Sequence, residues 1–349
     1  MPLRHCKTAL FCLAISLSCC HPRPKQPPPD RSFYYWKSVY SLTGKEREYL
    51  QALRVSKLYV RFFDVTWDVQ RGAATPTAPI LFKDSSYLKY AVVPVVFITN
   101  EVLVRLDTAA VRPLAEHIAG LVLQLRDGNR LPPADELQLD CDWTAVTRDR
   151  YFSLLTDIRR WLDGNGQGSC RLSATIRLYQ CKYRDLTGVP PVAKGLLMCY
   201  NMGDLKNSNA HNSIIETAEL EKYTSKLSSY PLSLDVAFPI FNWKVLFHEG
   251  RYAGLMETLP TAALANDAVM RTGNRYTFRR DTTLNGHVFD PGDQLRDEQS
   301  DYHAVQSSAN VIAGELKSPP GNVVLFHLDS ANLANYTPDE LENIFARFD

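Results

Sequence analysis

After the first twenty positions the chain has no run of about 18 apolar residues, so nothing there reads as a membrane-spanning helix. Excess charge is missing too. The 39 basic side chains are balanced by 38 acidic ones, a net charge of +1, which leaves no electrostatic footprint for nucleic acid. There is no G-x-G-x-x-G after a strand and no G-x-x-x-x-G-K-S/T, which removes dinucleotide and P-loop sites. No C-x-x-C and no histidine-rich spacing argues for zinc. No cofactor and no metal is therefore expected, with a carboxylate cluster holding Ca²⁺ or Mg²⁺ as the alternative. No internal repeat is visible. What is present is ordinary globular material: 349 residues, 45% of them hydrophobic, enough for one large α/β domain or two smaller ones.

The N-terminus differs from the rest. Arg4, His5 and Lys7 precede an apolar run from Ala9 to Leu17, followed by Ser18-Cys19-Cys20. A charged segment and a short apolar one make a signal peptide over residues 1–20. A Cys at the cleavage point is the bacterial lipoprotein pattern. Leu17, three before Cys20, favours Cys20 as the lipid-bearing residue, with Cys19 as the alternative; a plain secretory signal is the simpler reading. Residues 21–31 are Pro-rich and suit an extended tether. The expected location is the bacterial cell envelope, lipid-anchored. His21, rather than Asp or Ser, follows Cys20 and favours the outer membrane.

From residue 32 to 349, strand and helix signals alternate, which points to βα units. Strands are expected at 33–40, 58–64, 92–99, 136–144, 172–178, 196–201, 232–238 and 323–328. Helices are expected from Thr43 to Leu53, Thr108 to Arg126, Arg148 to Leu162 and Ser213 to Leu227, with a last one opened by Thr337-Pro338. Eight strands with intervening helices fit a (β/α)8 TIM-type barrel. The roughly 80 residues between strands seven and eight far exceed a usual connection of about 2–6. Hairpin signals there, Asn285-Gly286 and Pro291-Gly292, indicate an α+β insertion at about 242–300. Cys141, Cys170, Cys181 and Cys199 read as buried free thiols. Cys170 and Cys181 flank a strand, about 35 Å apart if it is straight, too far to bridge.

In such barrels the C-terminal strand ends carry the chemistry. Strand four puts Gln138, Asp140 and Asp142 on one face, and two carboxylates together push at least one pKa upward, as acid catalysts require. These two are the catalytic candidates. Binding candidates are Asp64 on strand two; Arg177 and Tyr179 on strand five; Tyr200, Asn201 and Asp204 at strand six; Asp235 on strand seven; His327 on strand eight; and Glu249 in the insertion. Trp143, Tyr179, Tyr200, Phe238 and Trp243 offer aromatic faces for sugar rings. Each has a plainer role: Arg177 neutralising Asp140, Asp64 bonding loop amides, Asp235 and His327 as satisfied core groups, the aromatics as packing.

Leu139-Asp-Cys-Asp-Trp143 resembles the fourth-strand signature D-x-x-D-x-D-x-E of glycoside hydrolase family 18, the chitinases and endo-N-acetylglucosaminidases. Met198-Cys-Tyr-Asn201 resembles that family's M-x-Y-D ending on strand six. The chain is also similar to a group of bacterial lipoprotein barrels that share the D-x-D strand. The resemblance implies a (β/α)8 barrel acting on N-acetylated glycans, with Asp142 matching the Asp that positions the substrate's N-acetyl group. The departures are specific. The acid Glu is replaced by Thr144, the sixth-strand Asp by Asn201 and the first signature Asp by Leu137. A threonine hydroxyl cannot protonate a leaving group near neutral pH, and losing a general acid costs about 10²–10⁴-fold. Three readings stay open: a glycan-directed hydrolase using another acid, with Asp64, Asp204 or Glu249 as partner to Asp140 or Asp142; a barrel that binds a glycan or oligosaccharide without cleaving it; and a structural or partner-binding lipoprotein.

Overall fold

The computed structural model describes residues 27–257 and 259–349. The expected leader, Cys20 and the larger part of the tether lie outside the described residues. Eight parallel strands form the barrel: β1 (Asp30–Tyr35), β2 (Lys57–Asp68), β3 (Ala91–Ile98), β4 (Glu136–Asp140), β5 (Arg171–Arg177), β6 (Lys194–Met198), β7 (Leu234–Pro239) and β8 (Asn322–Phe326). They follow one another around the sheet in chain order, and β1 pairs with both β8 and β2, which closes it. Ala73–Thr77 returns antiparallel along the upper part of β2.

Alternation sorts the strand residues. Leu137 and Leu139 point outward to the helices, while Glu136, Gln138 and Asp140 point inward. Outside the barrel, the first helix, α1 (Gly44–Ala52), starts from a capping box made by Thr43 and Glu46. The long helices α2 (Thr108–Gly128) and α3 (Arg148–Gly164) bury Val111, Leu114, Ile118 and Tyr151, Leu154, Ile158 respectively. Helix α4 (Tyr302–Glu315) leads into β8, and the last helix, α5 (Pro338–Ala346), is opened by a capping box from Thr337 and Glu340.

The lower end of the barrel is closed by a charged network. Lys194 bridges Glu136 at 2.8 Å and Asp235 at 2.6 Å, Asn322 Nδ2 donates to Asp235 at 2.7 Å, and Lys57 donates to Asn322 Oδ1 at 2.7 Å. Paired and hydrogen-bonded this way, the buried carboxylates have their charge offset.

Between β7 and β8 lies a five-stranded antiparallel sheet, ordered Arg251–Met256, Asn242–His248, Gln294–Gln299, Arg275–Phe278 and Val269–Thr272. It has its own small core, including Met256, Leu264, Tyr276, Phe278, Phe289 and Leu295. A buried ion pair ties it to the barrel. Arg296 and Glu298 are both 0% exposed and 2.5 Å apart. Arg296 Nη1 donates to the Asn207 carbonyl at 2.6 Å, and Glu298 accepts from Ser213 Oγ at 2.5 Å and from Trp243 Nε1 at 2.7 Å.

Several features depart from the sequence expectation: β4 ends at Asp140 rather than 144 and β6 at Met198 rather than 201, because the chain beyond each strand leaves the sheet to line its mouth. The stretch from Ser213 to Leu227 is not one helix but Thr217–Glu221 followed by a 3₁₀ turn, Thr224–Ser229, because residues 203–214 are drawn toward the insertion. Helix α4 was not anticipated: its Ser, Asn and Gly content blurs the apolar stripe of Val305, Ala309 and Ile312. The four cysteines, Cys141, Cys170, Cys181 and Cys199, are buried and free.

Candidate functional site

Register sets the upper layer of the barrel. Asp64 of β2, Phe97 of β3 and Asp140 of β4 are aligned across neighbouring strands and share the inner face. Asp64 reaches that face because the β2–β3 pairing shifts register between Arg61 and Phe63. The extra residue turns Asp64 to the same side as Arg61, and the two pair through Nε–Oδ1 at 2.6 Å. On the other flank Arg177, the last residue of β5, grips Asp142 with both ends of its fork, Nε–Oδ1 at 2.5 Å and Nη2–Oδ2 at 2.7 Å. Sequence left Asp140 as the candidate partner of Arg177; the partner is Asp142, which stands beyond the end of β4 with its side chain 50% exposed.

Asp140 sits beneath these pairs, only 6% exposed, and accepts from Thr175 Oγ1 at 2.6 Å. Burial, then the nearby Asp142, pushes its carboxyl up to about 6, against smaller lowering contributions from Thr175 and Arg177. Burial would lower the Arg177 guanidinium, yet its pairing with Asp142 leaves it raised and fully charged. The Tyr34 and Tyr200 phenols are raised well above their ordinary value, chiefly by burial, so both are neutral. Tyr34 donates to Gln138, whereas the buried Tyr200 hydroxyl has no partner among the described residues.

A cavity of about 400 Å³ opens over the ends of β4, β5 and β6, lined by Asp142, Trp143, Thr144, Arg177, Tyr179 and Tyr200, with Asn201, Met202 and Tyr223 beyond them. Asp142 is the one carboxylate in that lining, and both its oxygens are engaged. Thr144 at the expected acid position is exposed, and its backbone N–H is fixed by Thr147 Oγ1 at 2.9 Å. Asn201 turns the chain at the end of strand six with a left-handed φ of 55°. Next to the cavity, Tyr200 stacks on Phe326 at 5.3 Å, Phe241 meets both, and the partly exposed Trp243 meets Phe241 at 5.1 Å.

Other candidates sit elsewhere. Asp235 is at the opposite, N-terminal end of the barrel in the Lys194 network, because it lies near the start of β7 rather than its end. Asp204 is exposed in the following loop, where it accepts from the Lys206 N–H at 3.0 Å. Glu249 is exposed at the hairpin turn of the insertion with a φ of 49°. Neither lines the cavity. His327 follows β8; burial lowers its pKa, so the ring is neutral, and Nδ1 has no partner. The aromatic faces expected for sugar are mostly spent on packing. Trp143 stacks on Tyr151 at 5.1 Å, Phe238 points out of the barrel against Phe348 at 5.9 Å, and the Tyr200 ring is covered by Phe326. Tyr179 is not on strand five but in the short helix Leu178–Lys182 that follows it; it is 52% exposed, with its ring beside Tyr183 at 4.8 Å.

Several site residues escaped sequence reasoning. Thr175 had a signal, since Ser173, Thr175 and Arg177 alternate on the inner face of β5. Arg61 needed the bulge, and Tyr223 lies in an irregular segment with no local signal.

The architecture and the paired strand ends define a chitinase-like (β/α)8 barrel. No protein-family model matches the sequence, and no curated protein matches it. Solved structures do. A chitinase from Chromobacterium violaceum is similar with a TM-score of 0.53 at 13% identity, over 91% of this chain and 99% of that one. The spore cortex-lytic enzyme SleL from Bacillus cereus gives 0.52 at 14% identity, over 93% and 76%. A class V chitinase from Nicotiana tobaccum in complex with NAG4 gives 0.50 at 12% identity, over 90% and 98%. At these identities the likeness is one of fold.

Proposed function

We propose that this barrel binds a glycan in the cavity above β4–β6 and does not cleave it. The observation that carries the reading is the Arg177–Asp142 pair. The carboxylate that matches the family's N-acetyl-positioning Asp has both oxygens held by a guanidinium, and the adjoining acid position is a threonine. The two-carboxylate route to glycoside hydrolysis needs a pair of carboxyl groups flanking the scissile bond, about 5–9.5 Å apart, and the substrate-assisted route of family 18 still needs the acid that Thr144 replaces. This cavity offers one carboxylate, already engaged. What remains suits recognition. Among the described residues the Arg177 Nη1 makes no protein hydrogen bond, the Tyr200 ring and the half-exposed Tyr179 line the cavity, and the buried Tyr200 hydroxyl, which has no partner there, becomes a donor if its ring shifts toward a ligand. N-acetylated oligosaccharides fit this donor-rich lining, and the chitinase and NAG4-bound neighbours support that class.

Calorimetry against a panel of N-acetylated oligosaccharides tests it. Saturable binding is expected, with Arg177→Ala weakening it by about tenfold or more. Unchanged affinity in that variant would remove the cavity from recognition. A second reading, a slow hydrolase, rests on Asp140, whose carboxyl at about 6 is in the range of an acid catalyst. It requires activity falling above pH 6 and lost in Asp140→Asn; a flat pH profile discards it.

We also propose that lipid on Cys20 anchors the barrel at the bacterial envelope, more readily at the outer membrane, with the Pro-rich residues 21–31 as spacer, except that Asp30 and Arg31 already belong to β1. The motif itself supports this. Mass spectrometry of protein from membranes is expected to find an acylated N-terminal cysteine; recovery without lipid contradicts it.

A further inference from the structure

The distal tip of the insertion brings together side chains that the barrel site does not use. His248 ends the strand Asn242–His248, about 20 Å from where that strand leaves the barrel, taking about 3.3 Å per residue. Its Nδ1 lies 2.7 Å from Asp293 Oδ1 and 4.0 Å from Asp290 Oδ2. One donor atom from each of the three residues falls within 4.8 Å of the others. The three come from two separate turns. One is the hairpin at His248-Glu249-Gly250. The other is Asp290-Pro291-Gly292-Asp293, where Gly292 has a φ of 92°.

We infer that this imidazole and two carboxylates form a binding site for a divalent transition cation of the Zn²⁺ class. Three observations carry it. First, the donor set is mixed: an imidazole with carboxylates suits Zn²⁺ or Mn²⁺, whereas Ca²⁺ prefers oxygen alone. Second, one donor is already fixed. Asp293 is 5% exposed, and its Oδ2 accepts the Asp290 backbone N–H at 3.0 Å, which leaves Oδ1 aimed at His248. That is the outer hydrogen bond that orients a ligating carboxylate. Third, the charge is unbalanced. Among the described residues no lysine or arginine forms an ion pair with Asp290, Asp293 or the adjacent Glu249; the basic group paired with the two aspartates is His248.

A cation with arms of about 2.0–2.2 Å is reached by re-aiming the exposed His248 and Asp290 side chains, with Asp293 staying in place. The remaining positions are open to water or to Glu249. The bound ion joins the two turns and closes the tip of the insertion sheet.

Titrating the full chain with ZnCl₂ in a calorimeter at pH 7.5 tests the inference. One ion per chain is expected, with a Kd in the micromolar range or tighter. Asp290→Asn, which changes an exposed side chain and leaves the fold alone, is expected to weaken it at least tenfold, and His248→Ala likewise. His211→Ala, which alters the exposed His211–Glu216 contact, serves as control and is expected to change nothing. A Kd above about 1 mM, equal binding in wild type and both site variants, or tighter binding of CaCl₂ than of ZnCl₂ would overturn it. None of these outcomes depends on whether the barrel binds a glycan.

Discussion

Asp140 lies beneath the Arg177–Asp142 pair, and its behaviour is fixed by what surrounds it. It is buried, it has Asp142 and Asp64 nearby, and it receives a single hydrogen bond from Thr175. Its carboxyl titrates at about 6 in the folded chain, against about 3.9 when unfolded. The folded state therefore holds this proton more tightly. The associated stability is complete below about pH 4 and is lost as pH rises through about 6. Two units correspond to about 3 kcal/mol, an order-of-magnitude figure. Asp140→Asn is expected to remove this slope, so urea denaturation at pH 4.5 and pH 7.5 should differ less in the variant than in wild type. An identical pH dependence in both contradicts the assignment. Alternation placed Asp140 on the inner face, but β4 ends there rather than at 144, so Asp142 comes near it from the loop that follows and not from a shared strand face. The Arg177–Asp142 clamp was not legible, since sequence places Arg177 on the right face without saying which carboxylate it reaches.

At the scale of elements, the insertion and the loop after strand six act as one unit. The Arg296–Glu298 pair sits at their junction, and Glu298 also orients Trp243, which touches the aromatic group beside the cavity. Glu298→Ala leaves a buried guanidinium without its counter-ion, which costs about 3–5 kcal/mol. A loss of that size is expected in denaturant midpoints, together with altered fluorescence from Trp243. A loss under about 1 kcal/mol would show that the junction is solvated. This network explains which elements the sequence failed to disclose. Strands with strong alternation, such as Leu172 to Leu178, and helices with a clear apolar stripe, such as Arg148 to Leu162, were legible to within two residues. The stretch from Ser213 to Leu227 has helical spacing but is broken by long-range pulls from Glu298 and Arg296, which no local pattern records. Helix α4 has a weak stripe and gains its burial from packing on neighbouring helices.

For the whole molecule, the two ends of the barrel divide the work. The lower end is sealed by Lys194, Glu136, Asp235, Asn322 and Lys57, in which every charge has a partner. The upper end keeps unspent polar groups, the Tyr200 hydroxyl and His327 Nδ1 among them. Sequence placed Asp235 with the site because alternation gives the face of a strand residue but not its height in the barrel. The (β/α)8 class itself was readable from eight spaced strands, and the barrel closes as that class requires. The central proposal is that this (β/α)8 barrel binds a glycan above β4–β6 and does not cleave it. The most direct measurement is mass spectrometry of an N-acetylglucosamine tetramer held with the full chain at saturating protein, alongside a calorimetric trace of the same mixture. The account predicts saturable binding and an intact tetramer after prolonged incubation. Shortened oligomers, or no heat of binding, would contradict it.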